Sequence, residues 1–221
     1  MRIEGRTGVA RYADDQEGPP RYGNQGETLV SDMNGFFYEQ AMRGNAFVYS
    51  TALAGNALVA ATTTNAPFLW NPLGSGKNIV LIKIAAGRTA KGTPLEGNIV
   101  YLTLANAGAA VGTGAPIVSG TFVAGVNCLL GGGQASIAKF APTTVATTGT
   151  PTIIGPAGFA QTADNGATTV SGPHSESLID YINGLIIIPP GNTFQIGASV
   201  ALSSTYAFSI WALELPVPLI A

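Results

Sequence analysis

Few side chains in this 221-residue sequence could do chemistry, and their spacing decides most cases. Gly74-Ser75-Gly76-Lys77 has the outline of a phosphate-binding loop. Such a loop needs a glycine five positions before Gly76, where Asn71 stands, and Ser or Thr after the lysine, where Asn78 stands. It also needs a helix to aim its N-terminus at the phosphate, and a β-type run follows instead. His174, the one histidine, sits in G-P-H-S-E-S, with Ser171, Ser175, Glu176 and Asp180 nearby. A Ser-His-acid set works by geometry rather than nearness in sequence, so a loop histidine flanked by serines reads as solvated. One histidine and one cysteine cannot supply a zinc ligand set. Asp164-Asn165-Gly166 offers oxygens to calcium but spells a turn equally well. Glu96, Asp164, Glu176, Asp180 and Glu214 are scattered over loops and strand ends, with few aromatics to stack a sugar. They make a poor glycosidase pair and read as surface charges. Trp70 and Trp211 lie inside strand-like runs, as core or interface residues. Cys128 is alone, so no intrachain disulfide exists, and it reads as a small buried apolar residue. The expectation is a protein without catalysis, metal or cofactor.

The elements around these residues read as β-structure. Pro67–Ala86 organises the chain: two apolar runs, Phe68–Trp70 and Asn78–Ala85, are joined by a Pro-Gly-Ser-Gly turn. In the longer run Val80, Ile82 and Ile84 are expected on one face, with Ile79, Leu81 and Lys83 on the other. Asn98–Ala105 repeats the pattern, Ile99 and Tyr101 alternating with Val100 and Leu102. Strands apolar on both faces need cover on both sides, from a second sheet and from another element or subunit. The expected outward set is Ile79, Leu81, Ile99 and Tyr101.

Charge points the same way. Of ten basic and twelve acidic residues, five and seven fall within the first 45 positions, leaving ten charges for the other 176. A body that sparsely charged lacks a common solubility device of free monomers and suits an assembly; a secreted sandwich with a Thr/Ser-rich surface is the alternative. Nothing in the balance favours nucleic acid or an anionic membrane. No apolar run approaches the roughly 18–20 residues that cross a bilayer. The start, M-R-I-E-G-R-T-G, has no apolar signal core, so synthesis in the cytoplasm is expected.

In chain order, residues 1–25 mix charge with Gly and Pro and cannot fold alone. They read as a tail or as an arm lying along a neighbour, with Tyr12 and Tyr22 as anchors. T-L-V-S-D-M, Asn34-Gly35 and F-F-Y-E-Q-A-M then read as a hairpin with a type I′ turn, whose Phe36, Phe37 and Tyr38 need a packing partner. The extended arm with its hairpin thus spans 1–44 and the body 45–221. Body strands are expected at 46–53, 67–71, 77–86, 97–105, 116–123, 134–140, 178–188, 192–201 and 205–214. Residues 141–176 read as long loops, with Thr152–Ile154 as a candidate strand. Asn183-Gly184 is expected to close a second hairpin, and Pro189-Pro190-Gly191-Asn192 a tight reversal. The fold class is all-β, an antiparallel jelly-roll-type β-sandwich with an extended N-terminal arm.

Several stretches carry a resemblance: the charged arm, S-D-M-N-G-F-F-Y-E-Q-A-M-R-G-N-A-F (31–47), L-W-N-P-L-G-S-G-K-N-I-V-L-I-K (69–83), P-P-G-N (189–192) and W-A-L-E-L-P-V-P (211–218). Together they resemble the jelly-roll decoration, or cement, proteins among the minor structural proteins of tailed-bacteriophage virions. The resemblance implies a homotrimer on the capsid exterior that clamps the major capsid protein lattice. Some relatives could serve in tails or fibres, so a receptor-binding β-protein contacting a host glycan is the alternative. Oligomerisation is argued from the two-faced strands; threefold symmetry comes from the resemblance alone.

Overall fold

The computed structural model describes residues 36–58, 60, 64–65, 67–90, 98–104, 117–119, 121–132, 134–143, 145–147, 150–160, 177–202 and 204–217. The chain divides into Met1–Glu39 and Gln40–Ala221. Among the described residues no helix is long and apolar enough to cross a membrane.

The first element is a helix, α1 (Phe36–Met42), where the sequence pattern suggested a strand. Glu39, Gln40, Ala41 and Met42 are strong helix formers, and they outweigh the aromatic run before them. Gly44, at φ 75°, supplies the left-handed stop. Its N–H donates to Ala41 O at 3.0 Å and the Asn45 N–H donates to Gln40 O at 2.9 Å, the paired closure of a Schellman motif. The Asn34-Gly35 turn lies outside the described residues.

The body follows as β1 (Ala46–Ser50), β2 (Asn56–Ala57), β3 (Thr64–Asn65), β4 (Phe68–Trp70) and β5 (Lys77–Ala90). Next come β6 (Asn98–Thr103), β7 (Ile117–Ser119), β8 (Val126–Asn127), β9 (Lys139–Ala141) and β10 (Val145–Thr147). The chain ends with β11 (Thr152–Ala160), β12 (Ser177–Tyr181), β13 (Ile187–Ile188), β14 (Thr193–Ala198) and β15 (Thr205–Pro216). Thr152–Ile154 is thus a strand that continues to Ala160, and with β10 it corrects the reading of 141–160 as loop.

Two antiparallel sheets form the sandwich, in the orders β12-β5-β15-β1-β8 and β11-β6-β14-β4-β9; β3-β10-β7 makes a small third sheet. Eight strands carry the topology. Numbered one to eight along the chain (β1, β4, β5, β6, β11, β12, β14, β15), they lie as 6-3-8-1 in the first sheet and 5-4-7-2 in the second. That is the two-Greek-key order of a jelly roll. Phe47, Tyr49, Ile84, Tyr206, Phe208 and Ile210 of the first sheet pack with Leu69, Ile99, Phe140, Phe194 and Ile196 of the second.

Two irregularities decide which side chains face out. Trp211 pairs with Lys83 but Ala212 pairs with Leu81, so β5 carries a bulge at Ile82. Ile79 and Leu81 point inward before it, and Ile84 and Ala86 after it. The face expected to hold Val80, Ile82 and Ile84 together is therefore split. The second irregularity is Asn183-Gly184, at φ 50° and 85°, which forms the expected turn, closed by the Leu185 N–H donating to Ile182 O at 3.1 Å. It closes no hairpin. β12 and β13 both pair with β5, so the turn is an outward loop within one edge strand. It sits beside the β5 bulge, with the Asn183 N–H donating to Ile82 O at 2.9 Å.

Candidate interaction surface

The jelly roll positions one surface of interest, the outer face of the first sheet. Its central row can be read from the strand register: Tyr181 lies opposite Lys83, Lys83 opposite Trp211, Trp211 opposite Val48, and Val48 opposite Val126. Alternation along β15 sends Phe208, Ile210 and Ala212 into the core and Ser209 and Trp211 outward. Tyr181 is 64% exposed at one end of the row and Val126 is 57% exposed at the other, with Lys83, Trp211 and Val48 half-buried between them. Ile179 and Ala85 extend the apolar surface on one side, and Ile187 and Val80 on the other. Lys83 is the row's one charge, its ammonium 3.9 Å from the centre of the Trp211 ring. Leu185, at the tip of the Asn183-Gly184 loop, is 89% exposed and flanks a groove bordered by Ile154, Ile186, Ile187 and Pro189.

The expected outward residues lie elsewhere. Ile79, Leu81 and Ile99 are completely buried and Tyr101 nearly so, all within the core between the sheets. The bulge at Ile82 and the inward turn of β6 use them for the subunit's own packing. The outward apolar set is Val80, Ile82, Trp211 and Tyr181 instead. Phe37 and Tyr38 are more than half exposed on α1. Tyr12, Tyr22 and the Phe36 side chain lie outside the described residues.

The motif stretch around Asn71 is structural. Asn71 is buried, and its Nδ2 donates to Lys77 O and Ile188 O, each at 2.8 Å. Its backbone N–H donates to Asn192 O and its carbonyl accepts from the Gly191 N–H. One asparagine thereby ties the Pro72–Gly76 loop to β13 and to the Pro189–Asn192 turn. A strand, β5, follows Gly74-Ser75-Gly76-Lys77, and the Lys77 ammonium lies 3.8 Å from Glu214 Oε2.

Two carboxylates read as surface charges from sequence are structural too. Glu214 is fully buried, because β15 carries it inward beyond Ala212. It accepts from the Ser136 hydroxyl at 2.7 Å, the Tyr49 hydroxyl at 3.0 Å, and the Ile137 and Ala138 N–H groups at 3.0 and 3.1 Å. A carboxylate filled by four donors is a brace, not a base, and Ser136 has no histidine to take its proton. At the opposite edge Asp180 accepts from the Tyr101 hydroxyl at 2.7 Å, joining β12 of one sheet to β6 of the other. Burial, then the neighbouring carboxylate, pushes both tyrosine hydroxyls well above their ordinary range. Burial also raises the Cys128 thiol, which disfavours the reactive thiolate.

His174, Ser171, Ser175, Glu176, Glu96 and Asp164-Asn165-Gly166 lie outside the described residues. Among the described residues no group of three His, Cys, Asp or Glu could hold a metal ion. Comparisons of the chain with family models, curated proteins and solved structures return no match.

Proposed function

We propose that the chain is a structural protein of a tailed-phage virion, a jelly-roll decoration protein that binds the outer surface of the major capsid protein lattice as a homotrimer and stabilises the head. The observation that carries this reading is the outer face of the first sheet, an apolar row with one cation on a body nearly free of charge. A cement needs such a face, a rigid sandwich behind it, and many weak contacts repeated over a closed shell. The W-N-P-L-G-S-G-K-N stretch adds support, since Asn71 makes that segment part of the rigid frame. Catalysis has no part in the reading, because the buried carboxylates serve as hydrogen-bond acceptors between strands.

Cryo-electron microscopy of the intact particle tests it. The chain should trace into trimeric density on the shell exterior, at hundreds of copies per particle. A handful of copies at a tail or fibre tip, with specific retention on a glycan array, would replace it with the receptor-binding reading. Removing residues 1–44 should leave a folded oligomer that no longer binds shells; unimpaired binding removes the arm from the account.

A further inference from the structure

We propose that the row Tyr181–Lys83–Trp211–Val48–Val126 is the surface that meets the lattice, and that the partner brings a carboxylate to Lys83. The inference rests on the decoration reading above and names the chemistry of its contact. Lys83 sits near the middle of a sheet face, flanked in register by Tyr181 and Trp211, and its one described interaction is with the Trp211 ring. Covering that face removes water from an ammonium, which costs heavily unless the covering surface supplies an opposite charge. The face itself supplies none. The described carboxylates of Gln40–Ala221 are Asp180, bonded to Tyr101, and Glu214, buried under four donors. A second copy docking by the same face would set one Lys83 against another and bring no acid. The fitting occupant is a different protein, with a flat apolar patch around an aspartate or glutamate.

The cation over the indole also argues against a sugar as occupant. A sugar stacks on the bare face of an aromatic ring, and the ammonium at 3.9 Å already occupies that side of Trp211. A carboxylate arriving from outside leaves this arrangement intact and adds a charge-assisted hydrogen bond to the same ammonium.

The test uses the full-length chain and undecorated, expanded shells of the major capsid protein, with binding read by co-sedimentation. Lys83→Met keeps the stem on the indole but leaves the partner's acid unpaired, and should weaken binding at least about tenfold; Lys83→Glu should weaken it further, and Lys83→Arg should stay within about threefold of wild type. Solution mass and melting temperature, recorded beside each variant, separate lost contact from lost fold. Wild-type affinity in Lys83→Glu, with the wild-type chain bound to shells, overturns the inference and spares the decoration reading. A change in solution mass on Lys83→Glu, with shell binding retained, overturns it in favour of a second copy. A wild-type chain that ignores the shells overturns both.

Discussion

The two sheets of this sandwich treat their outer faces differently. On the second sheet Phe68, Val100, Leu102, Ala141, Thr193 and Gln195 turn away from the main core and are nonetheless buried. The chain closes that face with its own residues: Phe122 packs over Phe68 and Trp70, with ring centroids 6.5 and 5.7 Å apart, and β3 lies against β14. On the first sheet Val80, Ile82, Trp211, Val48 and Tyr181 stay half-buried or exposed. A demand for cover on both faces, read from two-faced strands, is thus met internally on one sheet and left open on the other. Apolar strand faces alone do not imply a partner. What matters is which of them the chain fails to cover.

Removing the brace of the closed interior should have the largest effect. Glu214→Ala leaves the Tyr49 and Ser136 hydroxyls and two backbone N–H groups without their acceptor. The expected cost is about 3–5 kcal/mol, read as a shift of the urea midpoint. A loss under ~1 kcal/mol would show that the network is ornamental. The next experiment compares the faces directly. Leu102→Ala on the covered face should cost about 2–4 kcal/mol, while Ile82→Ala on the open face should cost clearly less in the isolated chain. Equal costs would mean that the open face is already covered in solution.

Alkaline pH probes the same interior more gently. Tyr49 and Tyr101 have raised values in the folded chain, so there they keep their protons at pH values where an unfolded tyrosine, near 10, loses its own. The unfolded state then binds fewer protons, and stability must fall as pH rises. It should hold steady below about pH 9 and drop above about pH 10, by up to about 1.4 kcal/mol per unit for each tyrosine. Tyr101→Phe should flatten part of that slope. An unchanged slope removes Tyr101 from the interior.

Much of the fold was legible because strands and turns announce themselves locally. β5, β6, β14 and β15 follow their apolar runs, and the Pro189–Asn192 turn closes with the Asn192 N–H donating to Pro189 O at 3.1 Å. The errors came where partners decide. The bulge at Ile82 exists only against β15 and the Asn183-Gly184 loop, so no reading of β5 alone could show that Ile79 and Leu81 face the core with Ile84. Asn183-Gly184 has hairpin turn chemistry, but β5 was the stronger partner for both flanking strands. Helix α1 did leave a signal, E-Q-A-M-R-G-N, helix formers ending on a glycine stop; the aromatics before it drew the reading toward a strand. Trp211 was identified as core or interface, but its place beside Lys83 required the register of three strands.

Hydroxyl-radical footprinting of Tyr181 and Trp211, in the purified chain and on the shell, tests the central claim most directly. The account predicts that both residues are labelled in the free protein and protected at least severalfold on the shell. Equal labelling in both states, on shells that demonstrably carry the protein, would mean that the open face of the first sheet meets nothing.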